Sequence, residues 1–224
     1  MLFRYRKNDW SSIMRRIKQD ELEKLSSFIV EQFFEKEEMQ VTFKGIDPIK
    51  AKSVLVKMEK YELLYFYKYG DIFVYDDNMT SVVVGIDIRN SGFFKKIPFI
   101  LKSNSMLSEL SKEELKLIKE NSKVIREVHS LTWFKKYLKK KPYYFAQFAV
   151  NKDARGKGIA RKMLEDLFAY IRDKNNYIVL ETLTEVNVPM YEHFGFELKE
   201  SCESKCKQLK EYRMIKTIIH SNND

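Results

Sequence analysis

The sequence predicts an α+β fold, in α/β layers, with helices packed on a sheet. Three observations predict it. Tyr143–Val150 (YYFAQFAV) is a near-continuous apolar and aromatic run of strand length, the pattern of a strand buried on both faces. From about Gly158 to Arg172, apolar residues recur at helical spacing. Tyr177–Leu183 (YIVLETL) is a second strand-like run. Strand, glycine loop, helix, strand is a β-α-β unit, and its crossover is expected to be right-handed.

The remaining elements follow in order. Residues 11–37 read as a helix with a break near Lys18–Asp20. Leu22, Leu25, Phe28, Ile29 and Phe33 make its apolar face. Residues 48–69 read as a second helix, with Pro48 in its first turn and Gly70 at its stop. Asp71–Tyr75 and Ser81–Ile88 read as a hairpin around the turn residues Asp76, Asp77 and Asn78. Residues 105–139 carry one or two polar helices, closed by Lys141-Pro142. In the 158–172 helix, Ile159, Met163, Leu164, Leu167, Phe168 and Ile171 share one face. A short helix over Pro189–Phe194 ends at Gly195, a left-handed cap. Strands near Phe196–Ser201 and Glu211–Ile219 complete the sheet, and a polar tail, Ser221–Asp224, is expected to fray.

Composition excludes more than it selects. With 224 residues the chain suffices for one large domain or two small ones. No apolar run reaches membrane-spanning length, and the first residues lack a signal peptide's apolar core, so a cytoplasmic protein is expected. Cys202 and Cys206 are read as reduced thiols; their spacing is not C-x-x-C, no His completes a zinc site, and no metal is expected. The formal charge of +9 is carried partly by Lys135-Lys136 and Lys139-Lys140-Lys141. Such charge suits a polyanion, either nucleic acid or a phosphate-rich cofactor. No helix-turn-helix, zinc-finger or RNA-binding signature supports nucleic acid.

The sharpest local signal is Arg155-Gly156-Lys157-Gly158-Ile159-Ala160, between a buried strand and a helix start. Helix N-termini carry unpaired amides and a positive dipole end, and glycines let a diphosphate approach the backbone. Arg155 and Lys157 add charge. A P-loop signature is absent, and Arg161 stands where a dinucleotide fold needs its third glycine.

The loop resembles the R/Q-x-x-G-x-G/A signature of the GNAT superfamily of N-acetyltransferases, with Arg155, Gly158 and Ala160 at the fixed positions. The wider phrase FAVNKDARGKGIARKML is similar too, although Lys152 replaces a common proline. Tyr191-Glu192-His193-Phe194-Gly195-Phe196 resembles the family's Y-E-x-x-G-F segment. The likeness is clear over residues 142–200, and the arrangement looks most like the branch related to puromycin acetyltransferase.

This resemblance implies a central mixed sheet with two parallel strands, about 143–150 and 177–183, splayed apart. Acetyl-CoA is the implied cosubstrate. Its pantetheine arm would lie in the splay against the backbone of Phe148, Ala149 and Val150, with its diphosphate on Arg155, Gly156, Lys157, Gly158, Ile159 and Ala160. Tyr191 sits at the family's general-acid position. Many relatives place a pantetheine-binding Asn where this chain has Thr184; Asn187 follows three residues later, so either could serve. The implied acceptor is an amine of a small molecule or a protein. Glu181, on the second strand, is the first candidate base, and His129 the second. His193 is read as surface or packing.

The expected organisation is a single GNAT-like domain over 1–224, with 1–140 shaping the acceptor site and 141–220 forming the acetyl-CoA core. Phe33, Phe34, Trp133 and Tyr144 are candidates for an aromatic acceptor wall. Two other readings stand beside it: a CoA-binding domain without catalysis, and a basic nucleic-acid module. Oligomeric state is open, a homodimer included.

Overall fold

A computed structural model describes residues 14–218. Its centre is a seven-stranded sheet of order β1-β2-β3-β4-β5-β7-β6. The strands are β1 (Arg15–Arg16), β2 (Asp71–Val74), β3 (Ser81–Asp87), β4 (Tyr143–Val150), β5 (Tyr177–Thr182), β6 (Glu197–Glu203) and β7 (Lys210–Thr217). Pairing is antiparallel throughout except between β4 and β5, which are parallel. The helices are α1 (Leu22–Phe33), α2 (Glu37–Thr42), α3 (Pro48–Tyr69), α4 (Phe93–Ser105), α5 (Lys112–Val128), α6 (Ile159–Arg172) and α7 (Val188–His193).

Strand alternation divides the packing. One face buries Phe73, Val83, Phe145, Ile178, Leu180 and Met214 against Met163, Leu164, Leu167 and Ile171 of α6 and Tyr191 of α7. Truncating a fully buried leucine such as Leu167 to alanine would cost about 2–5 kcal/mol. The other face buries Ile72, Val74, Val82, Val84 and Ile86 against Leu22, Leu25, Ile29, Leu63 and Phe66 of α1 and α3. Further along this face, Trp133 and Phe134 cover Val179 and Ile215.

Local chemistry explains the best-defined boundaries. Asp47 caps α3 by accepting the Lys50 amide at 2.9 Å, with Pro48 in the first turn. Ser111 and Glu114 form a capping box on α5. Gly85 permits a close approach: a Cβ there would lie 2.4 Å from the ring of Tyr143.

Three expectations change. The helix expected over 11–37 is shorter, Leu22–Phe33; residues 11–13 lie outside the described part, and Arg15–Arg16 instead extends the sheet beside β2. Arg16 is held there by Asp71 at 2.5 Å and lies 4.9 Å over the Phe73 ring. Helix α5 lies within the expected 105–139, but α4, which precedes it with Pro98 inside, has no counterpart in the sequence reading. Pro98 reads as a breaker in sequence, but Phe99 packs edge-on against Tyr65 of α3, at 5.7 Å, and tertiary contact overrides propensity. The last strand ends at Thr217; Ile219, His220 and the tail lie outside the described residues.

Candidate active site

The site begins with a defect in β4. Val84 pairs with Gln147, but its neighbour Gly85 pairs with Phe145, so Ala146 is an extra residue. Tyr143 and Phe145 point to the α6 face, and so do Phe148 and Val150, while Tyr144, Ala146 and Ala149 point to the α1/α3 face. The bulge therefore resets the alternation. Gln147 shares the α1/α3 face with Ala146, where its Nε2 donates to Glu59 Oε1 of α3 at 3.0 Å. Without the bulge, Gln147 would have faced α6.

The same bend opens the sheet. β4 and β5 pair only at Tyr143–Ile178 and Tyr144–Val179. Beyond that, Phe145–Val150 and Leu180–Thr182 part. Asn151 N donates to Thr80 O at 2.9 Å, and Ser81 Oγ donates to Ala149 O at 2.8 Å. Antiparallel alternation then turns the polar backbone of Ala149 to β3 and that of Phe148 and Val150 toward the gap. Of the three residues expected beside the cofactor, Phe148 and Val150 turn their backbone to the gap and Ala149 turns its own to β3.

At the far end of β4 the glycine loop is fully open. Arg155, Gly156, Lys157 and Gly158 are all exposed. Gly156 and Gly158 have φ of +76° and +74°, and a Cβ on either would meet nothing within 4 Å. Positive φ strains any residue with a Cβ, so these glycines serve the backbone path. Gly158 caps α6 without a side-chain hydrogen bond, and the first helical bond runs from Lys162 N to Gly158 O at 3.2 Å. The amides of Ile159, Ala160 and Arg161 therefore have no helical acceptor. The side chain of Ile159 is buried in the core, so only its backbone faces the loop.

Tyr191 closes the gap from α7. It is 8% exposed and packs edge-on against Phe145 and Phe196, at 6.3 and 5.6 Å. Gly195, at φ +81°, lets the chain turn so that Phe196 N donates back to Tyr191 O at 3.0 Å. Burial raises the phenol's pKa, so it is protonated at neutral pH. Thr182 Oγ1 gathers the end of β5: it accepts from Thr184 N at 3.2 Å and Asn187 Nδ2 at 3.3 Å. Phe148, Glu181, Thr184, Asn187 and Tyr191 line one cavity of about 870 Å³; Ala149, Val150 and the 155–160 loop lie outside its lining.

The sequence of residues 116–198 matches the family model of the acetyltransferase (GNAT) domain. The chain carries a GNAT acetyltransferase domain. It is accordingly an acyltransferase. No curated protein matches the sequence. Among solved structures, a histone acetyltransferase-related protein from Corynebacterium glutamicum is similar at a TM-score of 0.62 and 18% identity, over 94% of this chain and 98% of that one. An N-acetyltransferase from Staphylococcus aureus gives 0.57 and 18%, over 91% and 100%. A polyamine N-acetyltransferase from Drosophila melanogaster, which forms N-acetylagmatine, gives 0.54 and 11%, over 92% and 99%. At these identities the likeness is one of fold.

The cavity extends across the sheet to the α1/α3 face, where its chemistry changes. Glu181 of β5 accepts from the Trp133 indole and from the Tyr144 hydroxyl. Burial raises its pKa. His129 Nδ1 lies 3.0 Å from Glu211 Oε2 of β7, and this bond raises the histidine's pKa above its usual value. Glu211 is 2% exposed, and its other oxygen accepts from Arg213 Nε at 2.8 Å. Glu38 of α2 and Glu59 of α3 also line the cavity, and burial raises both pKa values, that of Glu59 to about 8 with repulsion from Glu62 adding.

Both candidate bases therefore lie in one cavity, as do Phe33, Phe34 and Tyr144, while Trp133 reaches it through Glu181. His193 instead meets Arg161 at 3.2 Å at the surface. The wall expected to be aromatic is lined with carboxylates as well. Sequence reasoning missed Glu38, Glu59, Gln147, Glu211 and Arg213. Two signals were available: a lone polar residue inside YYFAQFAV, and the charges Glu211 and Arg213 two apart in the last strand, EYRMIKT.

Among the described residues, no helix is long and apolar enough to cross a membrane. Cys202 and Cys206 are free thiols.

Proposed function

We propose that this protein transfers the acetyl group of acetyl-CoA to an amine of a small molecule or a protein, by direct attack in a ternary complex. The observation that carries the reading is the unpaired stretch between β4 and β5. It leads from an exposed, positively charged helix start to a cavity that holds a buried phenol and two candidate bases. The entire chain is read as one domain, since β1–β3 and β4–β7 belong to a single sheet.

The roles follow from placement. The free amides at the start of α6 bind the diphosphate, with Arg155 and Lys157 adding charge. The backbone of Phe148 and Val150 pairs with the pantetheine arm. An amide of β4 donates to the thioester oxygen where negative charge develops. Asn187 and Thr184 border the arm at the end of β5.

An alkylamine of pKa about 10.4 is neutral to only roughly one part in 2,500 at pH 7, a penalty of about 4.6 kcal/mol. A base must therefore take its proton. Glu181, its basicity raised by burial, receives that proton, directly or through water. His129, half-exposed and within electrostatic reach of Glu181, passes it to solvent. The nitrogen then forms its bond to the acetyl carbon, the carbon–sulfur bond breaks, and Tyr191 protonates the departing thiolate.

Two measurements test this. Acetyl-CoA should raise the melting temperature, and a thiol reporter should register CoA release with members of an amine panel. A melting shift without release from any amine would leave a binding protein and overturn the transferase.

A further inference from the structure

The cavity opposes the charge of the molecule around it. The chain carries a formal +9. Yet Glu38, Glu59, Glu181 and Glu211 line the cavity's partly or fully buried walls, and Glu62 and Glu185 its margin. Four lysines also line it: Lys207 and Lys210 are exposed, while Lys36 and Lys96 are half-buried, the Lys96 Nζ lying over the Tyr65 ring at 5.7 Å. Arg213 neutralises Glu211 but is shared with Glu200, at 2.8 Å to each. Carboxylates taken from water without counter-charge are costly.

The carboxylates fall into two groups. Glu181 and Glu211, with His129, stand on β5 and β7. Glu59 and Glu62 stand one turn apart on α3, facing β4. A separate observation marks the second group as a seat for a donor. Gln147 Nε2 is spent on Glu59, while Gln147 Oε1 is buried and accepts no hydrogen bond. A buried acceptor left unpaired costs about 1–3 kcal/mol. An ammonium could satisfy that oxygen and the Glu59 carboxylate together. Burial and Glu62 push the Glu59 carboxyl up to about 8, as expected of a cation site lacking its cation.

Resting on the reading of this cavity as the acceptor site, we infer that the acceptor is a small linear diamine or polyamine, with one nitrogen acetylated beside Glu181 and a second, ammonium nitrogen held by Glu59 and Gln147. Both seats lie within a single cavity of about 870 Å³, the size of a small-molecule pocket. One small molecule therefore carries both charges, and a protein side chain supplies only one.

The test compares kcat/KM for 1,4-diaminobutane and spermidine with that for butylamine, an aromatic monoamine and a lysine peptide. The diamines should exceed butylamine by about ten-fold or more, the worth of one charged hydrogen bond. Glu59→Gln should reduce that ratio about ten-fold, mainly through KM. Gln147→Met should reduce it in the same direction. An unchanged melting shift with acetyl-CoA would show that both variants are folded. A diamine-to-monoamine ratio near one, a preference for the peptide or the aromatic amine, or a ratio untouched by Glu59→Gln would overturn the inference while leaving the transferase reading intact. CoA release from no amine at all would remove both.

Discussion

The two faces of the sheet make opposite kinds of site. The α6/α7 face is built mainly from the stretch β4 to α7, with Phe73, Val83 and Met214 from β2, β3 and β7, and it is largely apolar: Phe145, Leu164, Leu180 and Phe196 share its core with the ring of Tyr191. The α1/α3 face draws on α1, α2, α3, the segment around His129, and β7, and concentrates carboxylates. The first side offers donors, at a helix start and along an unzipped strand, as the proposed seat of an anionic cosubstrate. The second offers acceptors, as the inferred seat of a cation. The bulge at Ala146 joins them, because it opens the gap and turns Gln147 to the charged side. On the proposed reading, the comparison teaches that activation of the thioester rests mainly on neighbouring segments of the chain, whereas choice of acceptor rests on its assembly.

Four experiments break or sharpen that contrast. The largest effect is expected on the apolar side. Tyr191→Phe should lower turnover about a hundred-fold, in the range of general acids, with acetyl-CoA affinity by calorimetry retained. Unchanged turnover would remove the phenol from the mechanism.

Gly158→Val comes next. The space beside Gly158 is empty, so the cost is backbone strain alone, about 1–2 kcal/mol. Acetyl-CoA affinity should fall about ten-fold and the unfolding free energy by a similar increment. An affinity loss without strain, or strain without affinity loss, would separate the loop's two roles.

Glu211→Gln probes the charged side. Glu211 stabilises protonated His129 and so raises its pKa. A proton acceptor works only when deprotonated, so kcat/KM should rise with pH, with its acidic limb set by the coupled Glu181–His129 pair. Removing the Glu211 charge should move that limb to lower pH. A limb that stays in place would exclude His129 from the proton route.

The smallest effect belongs to Arg155→Ala. Arg155 is exposed and screened. The KM for acetyl-CoA should rise about two- to three-fold at low salt and less at high salt. A large loss that ignores salt would mean that Arg155, rather than the helix amides, holds the diphosphate.

What was legible in sequence was what short-range chemistry dictates. Pro48 and Gly70 bound α3; the run Tyr143–Val150 is β4 residue for residue; Met163, Leu164, Leu167 and Ile171 form the buried face of α6. The loop 155–158 and Tyr191 stand in short local motifs, so the family resemblance singles them out in sequence. Tertiary structure decided the rest. A bulge is a mismatch between two strands, Gly85 in one and Ala146 in the other, and neither sequence segment holds both partners. The acidic cavity depends on the same kind of long-range placement: Glu38, Glu59, Glu181 and Glu211 lie far apart along the chain, and each looks like an ordinary surface charge until the fold removes water from around it.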